Sequence, residues 1–250
     1  MGRDEALLRA CVELDTPPVV RLYAWDPATI SLGYFQEFDE RNALDPALRA
    51  LPVVRRTTGG GAILHDLELT YSIILPISHP LVRHRPNALY EAAHRAIIAA
   101  VRSTATAVNP SAIRAHGCGT DSAEGGCGGS SQRGPFFCFA RRHAYDVVVA
   151  RPDGGADKLA GSAQRRTTTA VLQHGSIMLE SRRPAQPCAT WSAVAGRTIS
   201  GEEATTRLTR ELGRELGALQ LRQWRDEELQ AAAAHRARYA GEDWTLHRRR

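Results

Sequence analysis

Residues 55–66 read RRTTGGGAILHD, and the glycines at 59–61 constrain this chain more than any other feature. Three consecutive glycines between apolar, strand-like segments are costly in backbone entropy. One use that offsets the cost is a tight bend or bulge. Another is a surface of bare backbone on which a ligand can lie. No GK[ST] follows, so the run is not a phosphate-cradling loop. The bend and the ligand surface both remain open from these residues alone.

The segments around the run set the architecture. Residues 3–14 place Ala6, Leu7, Ala10, Cys11 and Leu14 on one helical stripe. Residues 19–25 and 29–35 read as strands, followed by a short helix at 45–50 and a third strand at 51–56. GAILHD and ELTYSIILP read as the paired strands of a hairpin. Residues 85–103 form a helix with Leu89, Ala93, Ile97, Ala100 and Val101 on one face. Residues 145–150, 157–164 and 170–180 are strand-like again. Ser200 with Glu203 predicts a capping box, with Leu208, Leu212, Leu216 and Leu219 behind it, and residues 226–240 predict a last helix. Residues 115–134, dominated by glycine and serine, read as a flexible insert rather than a domain boundary, because strands resume after it. The expectation is α+β, one domain over residues 1–250, with a mixed or antiparallel sheet.

Composition excludes several classes. Of 250 residues, 43% are hydrophobic and 24% charged, as in a soluble globular protein, and no apolar run could span a membrane. The N-terminal residues lack a secretory pattern, and Asp4, Glu5 and Ala6 do not suit a myristoylation signal, so a cytoplasmic location is expected. Five cysteines, an odd number at irregular spacing, do not predict a disulfide framework, and Cys118 and Cys127 lack the further ligand pair a zinc site needs. The formal charge of +5 favours an acidic partner. The arginines are spread along the chain, which argues against nucleic acid.

Of the 32 basic residues, one alone is lysine: Lys158, in DKLAGSAQRR. Arginine can serve ordinary surface ion pairs. A lysine kept among arginines suggests a need for a narrow ammonium or a removable proton, and the small residues around it suit a substrate groove. Drift is the alternative. Cys138 lies in GPFFCFARR among Phe136, Phe137 and Phe139. It is either a small buried hydrophobe or a nucleophile activated by Lys158 or a histidine brought beside it. His174, before a glycine at a strand end, reads first as a structural hydrogen-bonder.

Taken together, RRTTGGGAILHD, DKLAGSAQRR and VLQHGSIML, with VVRLYAWDPATISLGYFQ before them and RYAGEDWTLHR after, resemble the catalytic domain shared by lipoate–protein ligases, octanoyltransferases and biotin protein ligases. The likeness covers nearly the whole chain apart from 115–134. It implies a mixed sheet that holds an acyl chain, with the glycine run along the acyl groove. It implies that Lys158 contacts the acyl carbonyl, as an electrostatic stabiliser or proton shuttle. It also implies substrate-binding roles for Tyr34, Gln36, Arg56, Gly59, Gly60, Gly61, His65, Gly161, Ser162, His174 and Gly175.

Within that family Cys138 is similar to the thiol of the Gram-positive octanoyltransferase branch. The CPG context of related amidotransferases and the GRGRxxR phosphate loop of biotin ligases are both missing, and no C-terminal accessory domain is expected. The resemblance therefore implies a cysteine-dependent octanoyltransferase with catalytic residues Cys138 and Lys158. No cofactor or metal is expected, and no nucleic acid or membrane partner. The implied partners are acyl carrier protein and an acceptor, either a lipoyl domain of a 2-oxoacid dehydrogenase or the glycine cleavage H protein. One alternative is a lipoate ligase on the same fold that uses ATP and Mg, with Cys138 incidental. The other is a non-catalytic acyl-binding protein.

Overall fold

The computed structural model of the chain describes residues 1–13, 17–117 and 135–249. In chain order its elements are α1 (Gly2–Glu13), β1 (Val19–Tyr23), β2 (Thr29–Leu32), α2 (Pro46–Arg49), β3 (Val53–Arg55), β4 (Ile63–His65), β5 (Glu68–Pro76), α3 (Pro80–Arg83) and α4 (Ala88–Arg102). They continue with β6 (Ile113–Ala115), β7 (Val147–Ala150), β8 (Ala156–Arg166), β9 (Ala170–Met178), α5 (Trp191–Ala195), α6 (Gly201–Leu216), α7 (Asp226–Ala240) and α8 (Glu242–His247).

Six strands form one antiparallel sheet, ordered β1-β5-β9-β8-β7-β6. β5 lies second in this order and is buried on both faces, with polar Glu68, Thr70 and Ser72 alternating with apolar residues. Leu69, Tyr71, Ile73 and Leu75 point one way, into a core with Leu89, Ala93 and Ile97 of α4 and Leu208 and Leu212 of α6. Ile74, and Leu172 of β9, point the other way, against Leu7 and Leu8 of α1.

β3, β2 and β4 form a second, smaller sheet, with β2 parallel to β3 and antiparallel to β4. This corrects the hairpin reading: β4 pairs with β2 and β5 with β1 and β9, so adjacent segments enter different sheets. The small sheet has its own core, with Ile30, Leu32 and Leu64 packing on Leu48 and Phe137.

Two boundaries and one half of the capping box also differ from expectation. Ala115 belongs to β6, and the His116 and Gly117 amides bond to the Asp146 and Ala144 carbonyls, so the insert begins later than residue 115. The rest of that reading, including Cys118 and Cys127, lies outside the described residues. Gly217, at φ 96°, ends α6, so Leu219 is outside the stripe and exposed. Ser200 caps α6 through the Glu203 amide, while the Glu203 carboxylate turns to Arg197 and Arg207.

Candidate active site

A cavity of about 340 Å³ lies between the two sheets, within the usual size of small-molecule sites, roughly 300–1,000 Å³. Its floor is a row in register across four strands of the large sheet: Tyr23, Thr70, Ser176 and Gly161. Three strand spacings make that row roughly 14 Å long. Gly59, Gly60 and Gly61 line the opposite wall beside Ser31, Ile63 and His65 of the small sheet. Gly60 is at φ 94°, a conformation that strains other residues, so the run makes a tight bend and leaves bare backbone along the cavity.

Lys158 and Cys138 meet at one end of the cavity. Cys138 opens a short 3-10 turn, Cys138–Ala140, and its amide donates to the Ala62 carbonyl at 2.7 Å, just beyond the glycine run. The Lys158 ammonium, with its side chain 3% exposed, lies 3.6 Å from the Cys138 sulfur and 2.9 Å from Asp146 Oδ2. The Phe139 ring is 5.3 Å from the same ammonium. A bulge between Val147 and Val148 makes this possible. Val147 pairs with Ala160 and Val148 with Lys158, which leaves Leu159 as the extra residue. The shift in alternation sends Leu159 and Ala160 into the core while Lys158 and Gly161 both border the cavity.

Gly161 makes room for the ammonium. A Cβ there would stand 2.3 Å from Lys158 Cε and 2.5 Å from Nζ. The far end of the lysine is what would have to move, so Gly161→Ala is expected to spare the fold and damage the site. The reactivity of the Cys138 thiol beside the displaced ammonium should fall by about tenfold to a hundredfold, since a misplacement of about 1 Å can cost that much. The melting temperature should shift by only a few degrees. Parallel thiol-alkylation and thermal-unfolding measurements check this, and an alanine variant with unimpaired Cys138 reactivity contradicts the placement.

Other expected residues divide into two groups. Arg56 is buried; its guanidinium donates to the Ser31, Gly59 and Gly61 carbonyls and so ties the glycine run to β2. Burial pulls its pKa down to about 10, with the nearby Cys138 opposing. His65 is engaged at both nitrogens, with Ser31 Oγ at 2.7 Å and Glu68 Oε1 at 2.5 Å, and stacks on Trp25 at 4.1 Å. His174 meets Thr58 Oγ1 at 2.6 Å and faces Asp4 at 4.0 Å. Ser162 and Gly175 also border the cavity.

Tyr34 and Gln36 are not among its lining residues. Tyr34 rests against Trp244. Gln36 accepts from the Gly33 amide and donates to the Phe136 carbonyl, two residues before Cys138. Gln36 thus holds the strand of chain that carries the cysteine instead of touching the cavity. Asp146 escaped the sequence reading altogether. Nothing local marks it, and only the bulged pairing of β7 with β8 brings it to Lys158.

Two buried histidines give the fold a pH dependence. Burial pushes His94 down to about 4 and His174 down to about 3, with Tyr145 and Asp4 opposing in part. In the unfolded chain histidine titrates near 6.5. Below that pH the unfolded state binds protons that the folded state refuses. The contribution of these two groups is therefore full above pH ~6.5 and falls as the pH drops toward 4, by several kcal/mol in all at ~1.4 kcal/mol per unit for each group. Between pH 6.5 and 5 the buried carboxylate Asp4, held below its ordinary range chiefly by Arg21 against the cost of burial, does not contribute. Unfolding midpoints measured from pH 8 to 5 should decline below 6.5; a flat profile contradicts the two buried neutral imidazoles.

Among the described residues, no group of three or more histidine, cysteine, aspartate or glutamate side chains is arranged to hold a metal ion. Among the same residues, no helix is long and apolar enough to cross a membrane.

The two-sheet architecture is that of the lipoate–protein ligases. A lipoate-protein ligase A structure bound with ATP superposes with a TM-score of 0.67 at 20% identity, covering 98% of this chain and 92% of that one. A structure from the structural analysis of the bipartite lipoate protein ligase of Thermoplasma acidophilum and its E2 lipoyl domain gives a TM-score of 0.66 at 18% identity over 100% of this chain and 91% of that one. Residues 1–223 match the family model for the lipoyl protein ligase A/B catalytic domain, and the chain belongs to that family.

Among curated proteins, the octanoyltransferase LipM of Brevibacillus brevis is 33% identical over 99% of this chain and 94% of its own length. LipM of Moorella thermoacetica is 39% identical over 72% of this chain. That alignment spans 60% of the Moorella protein.

Proposed function

We propose that the protein is an octanoyltransferase of lipoate assembly working through a Cys138 acyl-enzyme. The observation that carries this is the buried Lys158 ammonium 3.6 Å from the Cys138 sulfur at the end of a long cavity. The similarity to LipM proteins supports the same reading. Cys138 attacks the thioester carbonyl of octanoyl–acyl carrier protein; the C–S bond to the carrier breaks and the carrier thiol leaves. The octanoyl chain extends along the Gly161–Ser176–Thr70 floor. An acceptor lysine amine on a lipoyl domain then attacks the Cys138 thioester, the amide forms, and the sulfur leaves with the proton shed by the amine.

Lys158 stabilises the negative charge that develops on the carbonyl oxygen in both steps. No cofactor is required, because the carrier thiol is the leaving group. The net charge of +5 suits an acidic carrier.

The test is transfer to an apo lipoyl domain from octanoyl–acyl carrier protein, with and without ATP. Transfer without ATP supports the proposal. Transfer that requires free octanoate or lipoate with ATP and Mg means a ligase. Acyl binding with no transfer under either condition means a non-catalytic protein.

A further inference from the structure

Lys158 is held by Asp146, so the stretch that carries Asp146 must itself be held. Asp146 precedes β7, and its Oδ2 accepts from the His143 amide at 2.8 Å as well as from Lys158. Its neighbour Tyr145 offers a backbone carbonyl to Nδ1 of His94, a buried residue of α4. A carbonyl can only accept, so the His94 proton sits on Nδ1 and Nε2 must accept. Ser162 Oγ, 2.6 Å away, supplies that proton.

The direction then propagates along the network. Ser162 accepts from Tyr71 OH at 2.5 Å, Tyr71 accepts from Gln173 Nε2 at 2.8 Å, and Gln173 Oε1 accepts from Gln164 Nε2 at 2.8 Å. Four elements, β8, β9, β5 and α4, are joined in one chain of donors that ends on the Tyr145 carbonyl. Its neutral imidazole faces Asp146, Lys158 and His143 electrostatically. His94 otherwise occupies the apolar face of α4, between Ala93 and Ile97, where an alkyl side chain would pack at no polar cost.

We propose that His94 is a positioning residue: by holding the Tyr145 carbonyl it fixes Asp146, and through Asp146 the Lys158 ammonium beside Cys138. The inference rests on the acyl-transfer reading for its catalytic consequence, but its geometric content can be tested without that reaction.

Two neutral substitutions separate the two ring nitrogens. His94→Asn sets an amide N–H where Nδ1 stands, so Tyr145 stays held and Ser162 is released. His94→Gln sets its amide where Nε2 stands, so Ser162 stays paired and the Tyr145 carbonyl is left bare. The first readout is alkylation of Cys138 by iodoacetamide at fixed pH in the full chain, followed on the Cys138 peptide by mass spectrometry. The second is kcat and KM for octanoyl transfer.

The Gln variant should slow Cys138 alkylation and lower kcat, each by about tenfold or more, with KM changed by less than about twofold. The Asn variant should stay within about threefold of the parent in both. Equal behaviour of the two variants, a larger loss in Asn, or a loss carried by KM overturns the proposal. Should the Gln variant not fold, the imidazole ¹⁵N shifts of the parent protein still decide: an Nδ1–H neutral tautomer at His94 is required, and an Nε2–H tautomer overturns the proposal. If the transfer reading is wrong, the parent itself transfers nothing while the alkylation difference persists, so the two failures are distinguishable.

Discussion

Cys138→Ala is expected to carry no octanoyl group after exposure to octanoyl–acyl carrier protein, and to transfer none to a lipoyl domain. The parent protein, denatured and weighed, should be heavier by one octanoyl group. Its sulfur is the one the fold prepares. Its amide is bonded to Ala62, its carbonyl accepts from the Arg141 amide, and an ammonium lies 3.6 Å from Sγ. The other described cysteines are poorly suited. Cys11 is buried in the α1 core, and burial pushes the Cys188 thiol up.

The substitution removes one sulfur from a partly exposed turn, so circular dichroism and melting should change little, with a cost of about 1 kcal/mol or less. The prediction is therefore a complete loss of adduct in a folded protein. An adduct of the same mass on Cys138→Ala would move the nucleophile elsewhere, and peptide mapping would then have to look at Cys118 and Cys127.

Some of this site was legible in the sequence because its signals are local. The glycine run, the lysine among arginines and the small residues after it all announce a close approach of backbone to something, and Gly161 meets the lysine that the composition singled out. Cys138 could be weighed as a nucleophile with Lys158 or a histidine as its partner, though spacing alone could not choose between them. What escaped depends on pairing between distant segments. GAILHD and ELTYSIILP alternate as any hairpin does, and only the 34-residue separation of Ser31 from His65, bridged by a hydrogen bond, reveals that the first segment belongs with β2.

Asp146 and His94 stand 12 and 64 positions from Lys158, and a bulge and a helix–sheet contact bring them in. Neither leaves a periodic trace. Tyr34 and Gln36, for which the resemblance implied substrate-binding roles, do not line the cavity. Their segment is held structurally, because Arg55 donates to the Gly33, Tyr34 and Gln36 carbonyls, and Gln36 in turn holds Phe136.

Lys158→Arg is expected to lose about 100- to 1,000-fold in acyl-transfer rate, the usual cost of removing one preorganised oxyanion donor. Both side chains are cations, so the charge beside Asp146 survives and the fold should too. Room and placement decide the outcome. The ammonium fits because Gly161 has no Cβ, and an atom there would already lie 2.5 Å from Nζ. A guanidinium is planar, longer and forked, and it would pair with the Asp146 carboxylate through two nitrogens. That arrangement satisfies the carboxylate better than lysine does and spreads the charge away from the carbonyl near Cys138. Arginine also cannot give up a proton to the departing sulfur of the carrier or of Cys138.

The loss should appear in the rate of Cys138 acylation as well as in transfer to the acceptor, since one ammonium serves both steps. Stopped-time mass spectrometry of the acyl-enzyme separates the two, with circular dichroism confirming the fold. Lys158→Met, which keeps the length of the stem and removes the charge, should lose at least as much rate. It should also lose stability of about 3–5 kcal/mol, because the buried Asp146 is left without its cation. Near-parental acylation in the arginine variant would mean that any cation at this place suffices, and the retention of a single lysine among 31 arginines would then have no catalytic cause.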